Sequence, residues 1–452
     1  MLYTQSPWLF ELQGGRKAYT LNKAFPKNDI VVIGAGIAGI MTAYYILTMT
    51  KKNVVVLETN TIASGATGHN AGQIVNYFER PFREIVEEFG HDMAWQGQQD
   101  INSAWDQLRE IQIKTKLKTP IYTFEGLSGC AYFQSVYEHL ESRFYRPQVA
   151  HQKEFGLIAD DCEFLDHIPA EFSDLYTVVP RRLIMELLET KDPTYSAAFT
   201  SKKGCMNSAM FCEEVAAYLL RMYPTRFQIY EGAHVSEVQL SAKDALITIN
   251  SQTQMRAQKV VLCTNGFRDM KLIGQAGAII DIGRHEALHG KVGYMKAYSY
   301  KDASQPTAIS YYNTASYNEY FYLTRRPSTL TTMAARSLIS VGGPEYVLPD
   351  KSEYTADSRY PAAVSKAIDA FVGSVLATAS KEGYEHMFIW HGLMGYTNNG
   401  LRIIGPDTHN PNLLYNLGCN GVGILPSIFG GKKIALFLNG RVHKKSIFDP
   451  QG

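Results

Sequence analysis

The strongest hydrophobic pattern in the chain lies within residues 29–58. An apolar run of β type at residues 30–33 leads into the glycine-rich sequence GAGIAG at 34–39, and an apolar helical segment follows. A second β-type run covers residues 54–57 and ends on Glu58. Strand, glycine-rich turn, helix and second strand in this order predict a β-α-β unit whose helix is buried against a parallel sheet.

The glycines of this unit stand where a dinucleotide-binding turn needs them. Gly34 allows a tight strand-to-helix turn, Gly36 lets the backbone approach a pyrophosphate, and Gly39 lets the helix pack closely on the sheet. The helix N-terminus offers free N–H groups to phosphate, and Glu58 can accept hydrogen bonds from a ribose. The alternative is a membrane span over the uncharged residues 30–49. It is disfavoured by the three glycines and by the strand that follows.

The rest of the pattern predicts further helices and strands. Helical periodicity covers residues 81–118, 134–154, 211–222 and 361–379, and a last helix opens at 418–425 and runs to about residue 439. Runs of β type cover residues 121–133 (as a pair of strands), 228–231, 235–240, 245–250, 259–266 and 414–417, and alternating tyrosine-rich runs over 281–343 predict an antiparallel sheet.

Three other features complete this prediction. Residues 157–200 are expected to be irregular and rich in turns. Residues 1–28, with the isolated aromatic residues Trp8 and Phe10, are expected to form a surface strap. Trp95 and Trp105 are expected on the buried face of the first long helix.

Length, charge and cysteine use narrow the class of protein. A chain of 452 residues can hold two domains. Its 44 basic and 43 acidic residues balance, so no overall field favours nucleic acid or an anionic membrane. The six cysteines are scattered without a CxxC pair, which indicates reduced thiols. Because the N-terminus also shows no secretory signal pattern, we expect a cytoplasmic protein.

Four motifs in a fixed order give the chain a family resemblance. They are GAGIAG at 34–39 with Glu58, ASGATGHNAGQ at 63–73, VVLCTNG at 260–266, and YTNNGLRIIGP at 396–406 with GCNGVGI at 418–424. Together they resemble the FAD-dependent D-amino-acid oxidase superfamily, which has the glutathione-reductase-like FAD fold. The amine-oxidising members are the most similar, and Ser6-Pro7-Trp8 resembles the γ-glutamylputrescine oxidase branch.

The resemblance implies an α/β fold with two interleaved domains. A Rossmann-like FAD-binding domain, with a mostly parallel sheet in three layers, is expected from residues 1–85, 195–270 and 380–452. An α+β substrate domain on a mainly antiparallel sheet is expected from residues 86–194 and 271–379.

The resemblance also implies the residues of the site. The catalytic candidates are His69, His391 and Tyr322. The FAD-binding candidates are Gly34, Gly36, Ile37, Ala38, Gly39, Glu58, Thr59, Ser64, Gly65, Ala66, Thr67, His69, Asn70, Ala71, Gly72, Gln73, Val235, Cys263, Thr264, Asn265, Gly266, Gly395, Gly421, Val422, Gly423 and Ile424. No metal is expected.

The chemistry implied is oxidation of the C–N bond of a small amine or amino acid. A hydride passes from the carbon beside a neutral amine to flavin N5, the resulting imine hydrolyses, and O2 reoxidises the flavin and yields H2O2. One alternative is a dehydrogenase that passes electrons to a quinone or carrier protein. Another is a flavin-containing scaffold or RNA-modifying subunit, although the balanced charge disfavours nucleic acid. No transmembrane segment is expected, and the oligomeric state is not indicated.

Two departures from the family pattern favour an amine over an amino acid and a flavin without a cysteine link. Met394 stands where glycine oxidase and D-amino-acid oxidase have the arginine that grips a substrate carboxylate. A thioether cannot form a bidentate pair with a carboxylate, so Arg402, Arg325 or Arg326 would have to replace it. Gly392 stands where sarcosine oxidase links its flavin to a cysteine.

The sequence allows two interpretations for several residues with reactive or polar side chains. His69 aligns with the histidine that binds flavin covalently in the dimethylglycine dehydrogenase branch, or it is hydrogen-bonded beside a non-covalent flavin. His391 faces the flavin or is structural. The string His285-Glu-Ala-Leu-His289 has zinc-ligand spacing, but its flanks indicate strand and turn. The tyrosines of residues 311–322 either line a pocket for a cation or pack the sheet; they are Tyr311, Tyr312, Tyr317, Tyr320 and Tyr322.

Overall fold

Two β-sheets organise the protein. The computed structural model describes residues 2–12, 16–20, 28–147, 154–267, 269–281, 288–300, 305–313, 320–328, 336–348, 354–375, 384–441 and 444–450. The helices are α1 (Pro7–Phe10), α2 (Ile37–Met49), α3 (Phe82–Phe89), α4 (His91–Thr115), α5 (Phe133–Tyr145), α6 (Arg181–Leu187), α7 (Ser208–Met222), α8 (Ala362–Val375) and α9 (Ile424–Leu438).

The strands come from all parts of the chain. They are β1 (Asn28–Ile33), β2 (Val54–Leu57), β3 (Gln73–Ile74), β4 (Ile121–Cys130), β5 (Gly156–Ala159), β6 (Tyr176–Val179), β7 (Ala197–Met206), β8 (Phe227–Tyr230), β9 (Val235–Leu240), β10 (Ala245–Ile249), β11 (Thr253–Leu262), β12 (Lys271–Ile273), β13 (Ile279–Ile280), β14 (His289–Tyr300), β15 (Thr307–Tyr312), β16 (Phe321–Pro327), β17 (Ser337–Gly342), β18 (Tyr346–Val347), β19 (Tyr384–Tyr396), β20 (Ile403–Pro406) and β21 (Leu413–Leu417).

The first sheet is built around β1. Strands β21, β11, β1, β2 and β8 lie side by side and parallel. The sheet continues with β10, which is antiparallel to β11, and then with β9, which is antiparallel to β10. Ile30 and Val32 pack on the side of α2 and α9, whereas Val31 and Ile33 pack on the side of β9 and β10. Burial on both faces explains why residues 30–33 of β1 are all apolar. The expected three-layer α/β arrangement is confirmed.

The register of this sheet brings the glycine-rich turn to one edge. Ile33 lies opposite Leu57 on one neighbour and Leu262 on the other. The three parallel strands therefore end together, and the segments that follow them meet at their carboxyl ends. This is the edge where open α/β sheets bind ligands.

The second sheet is mainly antiparallel, as expected. Its order is β18-β14-β17-β16-β15-β4-β7-β5-β6, with β19 paired to β14 and β3 paired to β7. Among the described strands of this sheet, only β15–β4 and β5–β6 pair in parallel. The long β14–β19 ladder joins residues 289–300 to residues 384–396 and carries Gly392 and Met394 toward the first sheet.

Four local predictions were wrong. Residues 121–130 form the single strand β4, because they pair along their whole length with β7. The helix over 81–118 is two helices that meet at Gly90, whose φ of +81° no helix accommodates. Residues 157–200 hold ordered elements, including β5, β6 and α6.

The fourth wrong prediction concerns the positions of two tryptophans, Trp95 and Trp8. Trp95 is 38% exposed, whereas Trp105 is buried as expected. Trp8 is not on a surface strap, since its side chain is fully buried. It lies on α1, which begins at Pro7 after Ser6, whose hydroxyl accepts a hydrogen bond from the Leu9 N–H. The pair of a serine cap and a proline at the first helical position is a strong helix start.

The division into two domains remains a proposal. By sheet membership, β7 and β19 belong with the second sheet and β12 and β13 with the first. If each domain is one sheet with its helices, β7 and β19 would pass from the proposed FAD-binding domain to the substrate domain. β12 and β13 would pass the other way. None of the described helices is long and apolar enough to cross a bilayer.

Candidate active site

The glycine-rich turn forms a tight cradle at the end of β1. Gly34 has a φ of +100°, and a Cβ there would lie 2.7 Å from the Cys263 carbonyl oxygen. A Cβ on Gly36 would lie 2.9 Å from Thr67 Oγ1, which accepts a hydrogen bond of 3.0 Å from the Ile37 N–H. Side chains are therefore excluded from the turn, which leaves room for a pyrophosphate to approach its backbone.

Glu58 closes the cradle from the end of β2. Its carboxylate accepts hydrogen bonds from the Ala35 N–H (2.8 Å) and the Asn60 N–H (3.0 Å). Burial, opposed by these hydrogen bonds, raises the pKa of Glu58. The side chain is thus fixed at the carboxyl edge of the sheet, where it can accept hydrogen bonds from a ribose.

The segment after β2 is held from several sides. A 3₁₀ turn covers Ala66–His69. Its carbonyl groups accept hydrogen bonds from Ser208 Oγ (2.6 Å, to Thr67) and Trp390 Nε1 (3.0 Å, to His69). Trp8 Nε1 donates to the carbonyl of Asn70 over 2.5 Å. These donors immobilise a loop that runs along a large cavity.

His69 occupies the middle of that loop. Its Nδ1–H donates to the Gly65 carbonyl over 2.9 Å, which leaves the Nε2 lone pair free. Burial lowers the pKa of His69, so the ring is neutral at pH 7. Gly392 lies directly against it, since a Cβ there would come within 2.6 Å of the His69 Cβ.

A cavity of about 410 Å³ runs from the cradle to the second sheet. Most of the predicted residues line it. These are Gly34, Gly36, Ile37, Ala38, Glu58, Thr59, Ser64, Gly65, Ala66, Thr67, His69, Asn70, Ala71, Gln73, Val235, Cys263, Thr264, Asn265, Tyr322, Gly421, Val422, Gly423 and Ile424.

Four predicted glycines lie outside the cavity wall and serve packing. A Cβ on Gly39 would overlap the Gly34 carbonyl, which is the close helix-strand contact the motif requires. Gly72 has a φ of +74° and lies against the Trp8 ring. Gly266 and Gly395 lie backbone to backbone, since a Cβ on Gly395 would come within 2.7 Å of the Gly266 nitrogen.

His391 also lies outside the cavity wall. Its Nδ1 shares a hydrogen bond of 2.8 Å with the Tyr354 hydroxyl, and its Nε2 one of 2.8 Å with the Ser358 carbonyl. Both ring nitrogens are therefore occupied, on the opposite side of β19 from Gly392. The structural interpretation of His391 is favoured, and we do not retain it as a catalytic candidate.

The tyrosine cluster divides between pocket and core. Tyr320 and Tyr322 line the cavity. Tyr311 and Tyr312 are buried in the core of the second sheet, and Tyr317 lies outside the described residues. His285 and Glu286 of the HEALH string also lie outside them, whereas His289 begins a strand and not a helix.

None of the three candidate arginines has its guanidinium free for a ligand. Arg325 pairs with Glu189 at 2.7 Å, and Arg326 pairs with Glu11 at 2.5 Å. Arg402 lines the cavity but donates to the side chain of Asn416 (2.6 Å) and to its carbonyl (2.9 Å).

Sequence reasoning missed two carboxylates of the cavity wall, Glu79 and Glu345. Glu79 follows β3 and Glu345 follows β17, outside every recognised motif. The tyrosines around them were noted, but nothing in the sequence linked them to either glutamate. Their proximity arises only when the two sheets are assembled.

The wall near the cradle fits the FAD that the motifs imply. Three polar side-chain atoms of cavity-lining residues are buried without a hydrogen-bond partner in the protein: Ser64 Oγ, Thr264 Oγ1 and Asn265 Nδ2. Buried polar groups are rarely left unpaired, so these atoms fit a polar ligand. Together with the cradle and Glu58, they give the wall polar groups that fit a dinucleotide.

Comparison with known proteins agrees with this geometry. Residues 29–436 match the model of a family described as FAD dependent oxidoreductase (DAO). A stretch of 75 residues is 39% identical to gamma-glutamylputrescine oxidoreductase of Escherichia coli strain K12, and it covers 17% of this chain and only 17% of that protein.

Solved structures extend the similarity over nearly the whole chain. Glycine oxidase from Bacillus cereus superimposes with a TM-score of 0.65 at 15% identity, covering 92% of this chain and 96% of the other. L-proline dehydrogenase from P. horikoshii superimposes with a TM-score of 0.66 at 15% identity, covering 94% and 98%. At this level of identity the structures establish the fold alone.

Proposed function

This chain belongs to the FAD-dependent oxidoreductase family that its residues 29–436 match, and on this basis we propose that it oxidises the C–N bond of a small amine. FAD, when bound, supplies the electron acceptor for this chemistry. The cradle, Glu58 and the loop around His69 would hold it. The second sheet closes the substrate end of the cavity with Tyr320 and Tyr322.

The observation that carries the choice of an amine is the cavity's lack of an available guanidinium among its described residues. Met394 lines the wall where related enzymes place a carboxylate-binding arginine. Arg402 is 5% exposed and its donors are engaged with Asn416. A substrate carboxylate would therefore lose its hydration without gaining a bidentate partner, which is costly.

We assign His69 the role of a hydrogen-bond acceptor at the reacting amine. Because its Nδ1–H donates to Gly65, only Nε2 can receive a proton. The lowered pKa keeps this nitrogen unprotonated at neutral pH. It can thus help to hold the substrate as a neutral amine, the form whose lone pair assists the oxidation.

Anaerobic bleaching tests the proposed reaction. We expect primary or secondary alkylamines to remove the flavin absorbance of the holoenzyme near about 450 nm, a band set by the cofactor. The corresponding α-amino acids should bind about tenfold or more weakly, because no arginine among the described residues of the cavity wall has a guanidinium free to pair with their carboxylate. Dithionite reduction is the control for a reducible flavin. If no amine or amino acid bleaches the flavin, the protein is no amine oxidase and the scaffold alternative gains support.

We propose O2 as the electron acceptor, with a quinone or carrier protein as the alternative. Mixing the amine-reduced holoenzyme with dissolved O2 separates the two. Rapid return of the oxidised spectrum with formation of H2O2 supports the oxidase. Sluggish reoxidation, accelerated by an added quinone, supports the dehydrogenase.

The FAD is proposed to be bound without a covalent link to His69. The Nδ1 nitrogen is engaged with Gly65, and the Nε2 nitrogen is the one to which we assign the hydrogen bond with the reacting amine. Acid precipitation of the holoenzyme should therefore leave a colourless pellet, with all the flavin in the supernatant. A yellow pellet that becomes colourless in a His69→Ala variant would establish covalent attachment.

A further inference from the structure

The substrate end of the cavity is unusually acidic. We use the term acidic end for Glu79, Glu345, Tyr320, Tyr322 and Tyr396, which surround a chamber of about 30 Å³ beside the main cavity. All except Tyr396 also line the main cavity. The chamber is therefore an extension of the proposed substrate site.

Each carboxylate of the acidic end is held by a tyrosine. The Tyr320 hydroxyl donates to Glu79 Oε1 over 2.9 Å, and the Tyr396 hydroxyl donates to Glu345 Oε2 over 2.5 Å. These contacts fix the carboxylates and place aromatic rings beside them. Carboxylates framed by aromatic faces are the surroundings that favour an organic cation.

An ammonium group of the protein already lies in these surroundings. Lys291 Nζ is 4.0 Å from the centre of the Tyr396 ring and 3.8 Å from Glu345 Oε2. Its side chain is 26% exposed and belongs to β14, so it enters from the rim. Lys291 also lines the chamber, so the part of the acidic end around Glu345 and Tyr396 already holds an ammonium group of the protein.

Lys291 forms an ion pair with only one of the two carboxylates, Glu345, although its charge and that of the buried Lys203 oppose the rise of the Glu79 pKa. Among the described residues, no basic side chain forms an ion pair with Glu79. Burial, together with the charge of Glu345, raises the pKa of Glu79 to about 7, and burial also raises the pKa of Glu345. A cation at this position would relieve the cost of ionising Glu79.

We propose that the acidic end selects substrates with a second cationic group, so that the enzyme acts on diamines and related polycationic amines. One amine reacts near His69, and the other lies between Glu79 and the rings of Tyr320 and Tyr322. This inference rests on the proposed amine oxidation. It makes Glu79 and Glu345 specificity determinants and not catalytic residues.

The test uses three substrates of one chain length with the holoenzyme. Anaerobic stopped-flow reduction gives the dissociation constant of 1,4-diaminobutane, butylamine and 4-aminobutanoate, whose far ends are positive, neutral and negative. We expect the diamine to bind about tenfold or more tightly than butylamine, as an added charge-assisted contact implies. The amino acid should bind most weakly.

Variants test whether Glu79 and Glu345 cause the expected preference for the diamine. Glu79→Gln keeps the shape of the side chain and removes its charge, so the ratio of the butylamine to the diamine dissociation constant should fall toward one. Glu345→Gln should lower the ratio in the same direction. Glu87→Gln is the matched control, because Glu87 is a 60% exposed carboxylate paired with Arg83 on α3, and the ratio should not change.

The outcomes separate the two proposals. If none of the three compounds bleaches the flavin, the proposed function fails. If butylamine and the diamine bind equally to the unmodified enzyme, the function stands and the acidic end has no role in selection. Tighter binding of 4-aminobutanoate would also overturn the inference and would point to Lys291 as the partner of a substrate carboxylate.

Discussion

Replacing Trp8 with alanine is expected to lower the free energy of unfolding by about 3–5 kcal/mol, the usual cost of truncating a fully buried tryptophan. The indole is completely buried. Its ring lies 4.6 Å from the Arg326 guanidinium, and its Nε1 donates to the Asn70 carbonyl over 2.5 Å. The substitution removes the ring and leaves that carbonyl without its partner.

The Trp8→Ala substitution should also affect the cavity, because Trp8 holds the loop that lines it. Asn70 and Ala71 belong to the cavity wall, and Gly72 lies directly against the indole. Loss of the indole should free this loop, so the variant should also bind FAD more weakly. Urea unfolding of apoprotein and holoprotein measures both effects.

Trp95→Ala is the matched control for this experiment. Trp95 is 38% exposed on α4, and its truncation should change the stability by no more than about 1 kcal/mol. A loss of less than about 1 kcal/mol in Trp8→Ala would show that the N-terminal segment is not part of the core.

Trp8 also illustrates what the sequence could not reveal. Local patterns predict an element when the deciding contacts lie within it, as they do for the apolar strands and glycines of residues 29–58. The burial of Trp8 depends on Asn70, Asn207 and Arg326, which lie far along the chain. An isolated aromatic residue without periodicity therefore gave no signal of burial, and the surface-strap prediction was wrong.

The same distinction between local and distant contacts applies to the residues of the site. The cradle and the loop around His69 are continuous segments, and their glycines are required by the local backbone geometry. Their motifs therefore predicted residues that line the cavity. The acidic end is different. Glu79, Glu345 and Lys291 meet only through the pairing of β14 with its neighbours and the docking of β3 on β7, and no spacing in the chain encodes that meeting.

His391 is a residue that the sequence placed at the site and that lies outside the cavity wall in the structure. Its position beside Trp390 on a strand near the flavin made it a reasonable catalytic candidate, but a strand alternates its side chains between two faces. Trp390 donates to the His69 carbonyl, whereas His391 bonds with Tyr354 and Ser358. Which of two neighbouring residues faces a site depends on the register, and the sequence leaves the register open.

Replacing Gly36 with alanine is expected to weaken FAD binding by about 10- to 100-fold, which corresponds to about 1–3 kcal/mol of steric strain. The added methyl group would lie 2.9 Å from Thr67 Oγ1. Thr67 would have to move and give up its hydrogen bond with the Ile37 N–H. Both changes fall where the turn must approach a pyrophosphate, so the penalty should appear in cofactor affinity.

The same substitution elsewhere provides the control. Gly373 lies exposed on α8, and a Cβ there meets nothing within 4 Å. Gly373→Ala should therefore keep the FAD affinity and should gain up to about 1 kcal/mol of stability from helix propensity. Titration of each apoprotein with FAD, followed by flavin fluorescence, gives the two dissociation constants, and near-UV circular dichroism checks that Gly36→Ala has folded. An affinity within about twofold of the unmodified protein would mean that the turn does not approach the cofactor, because a contact this close cannot be accommodated without cost.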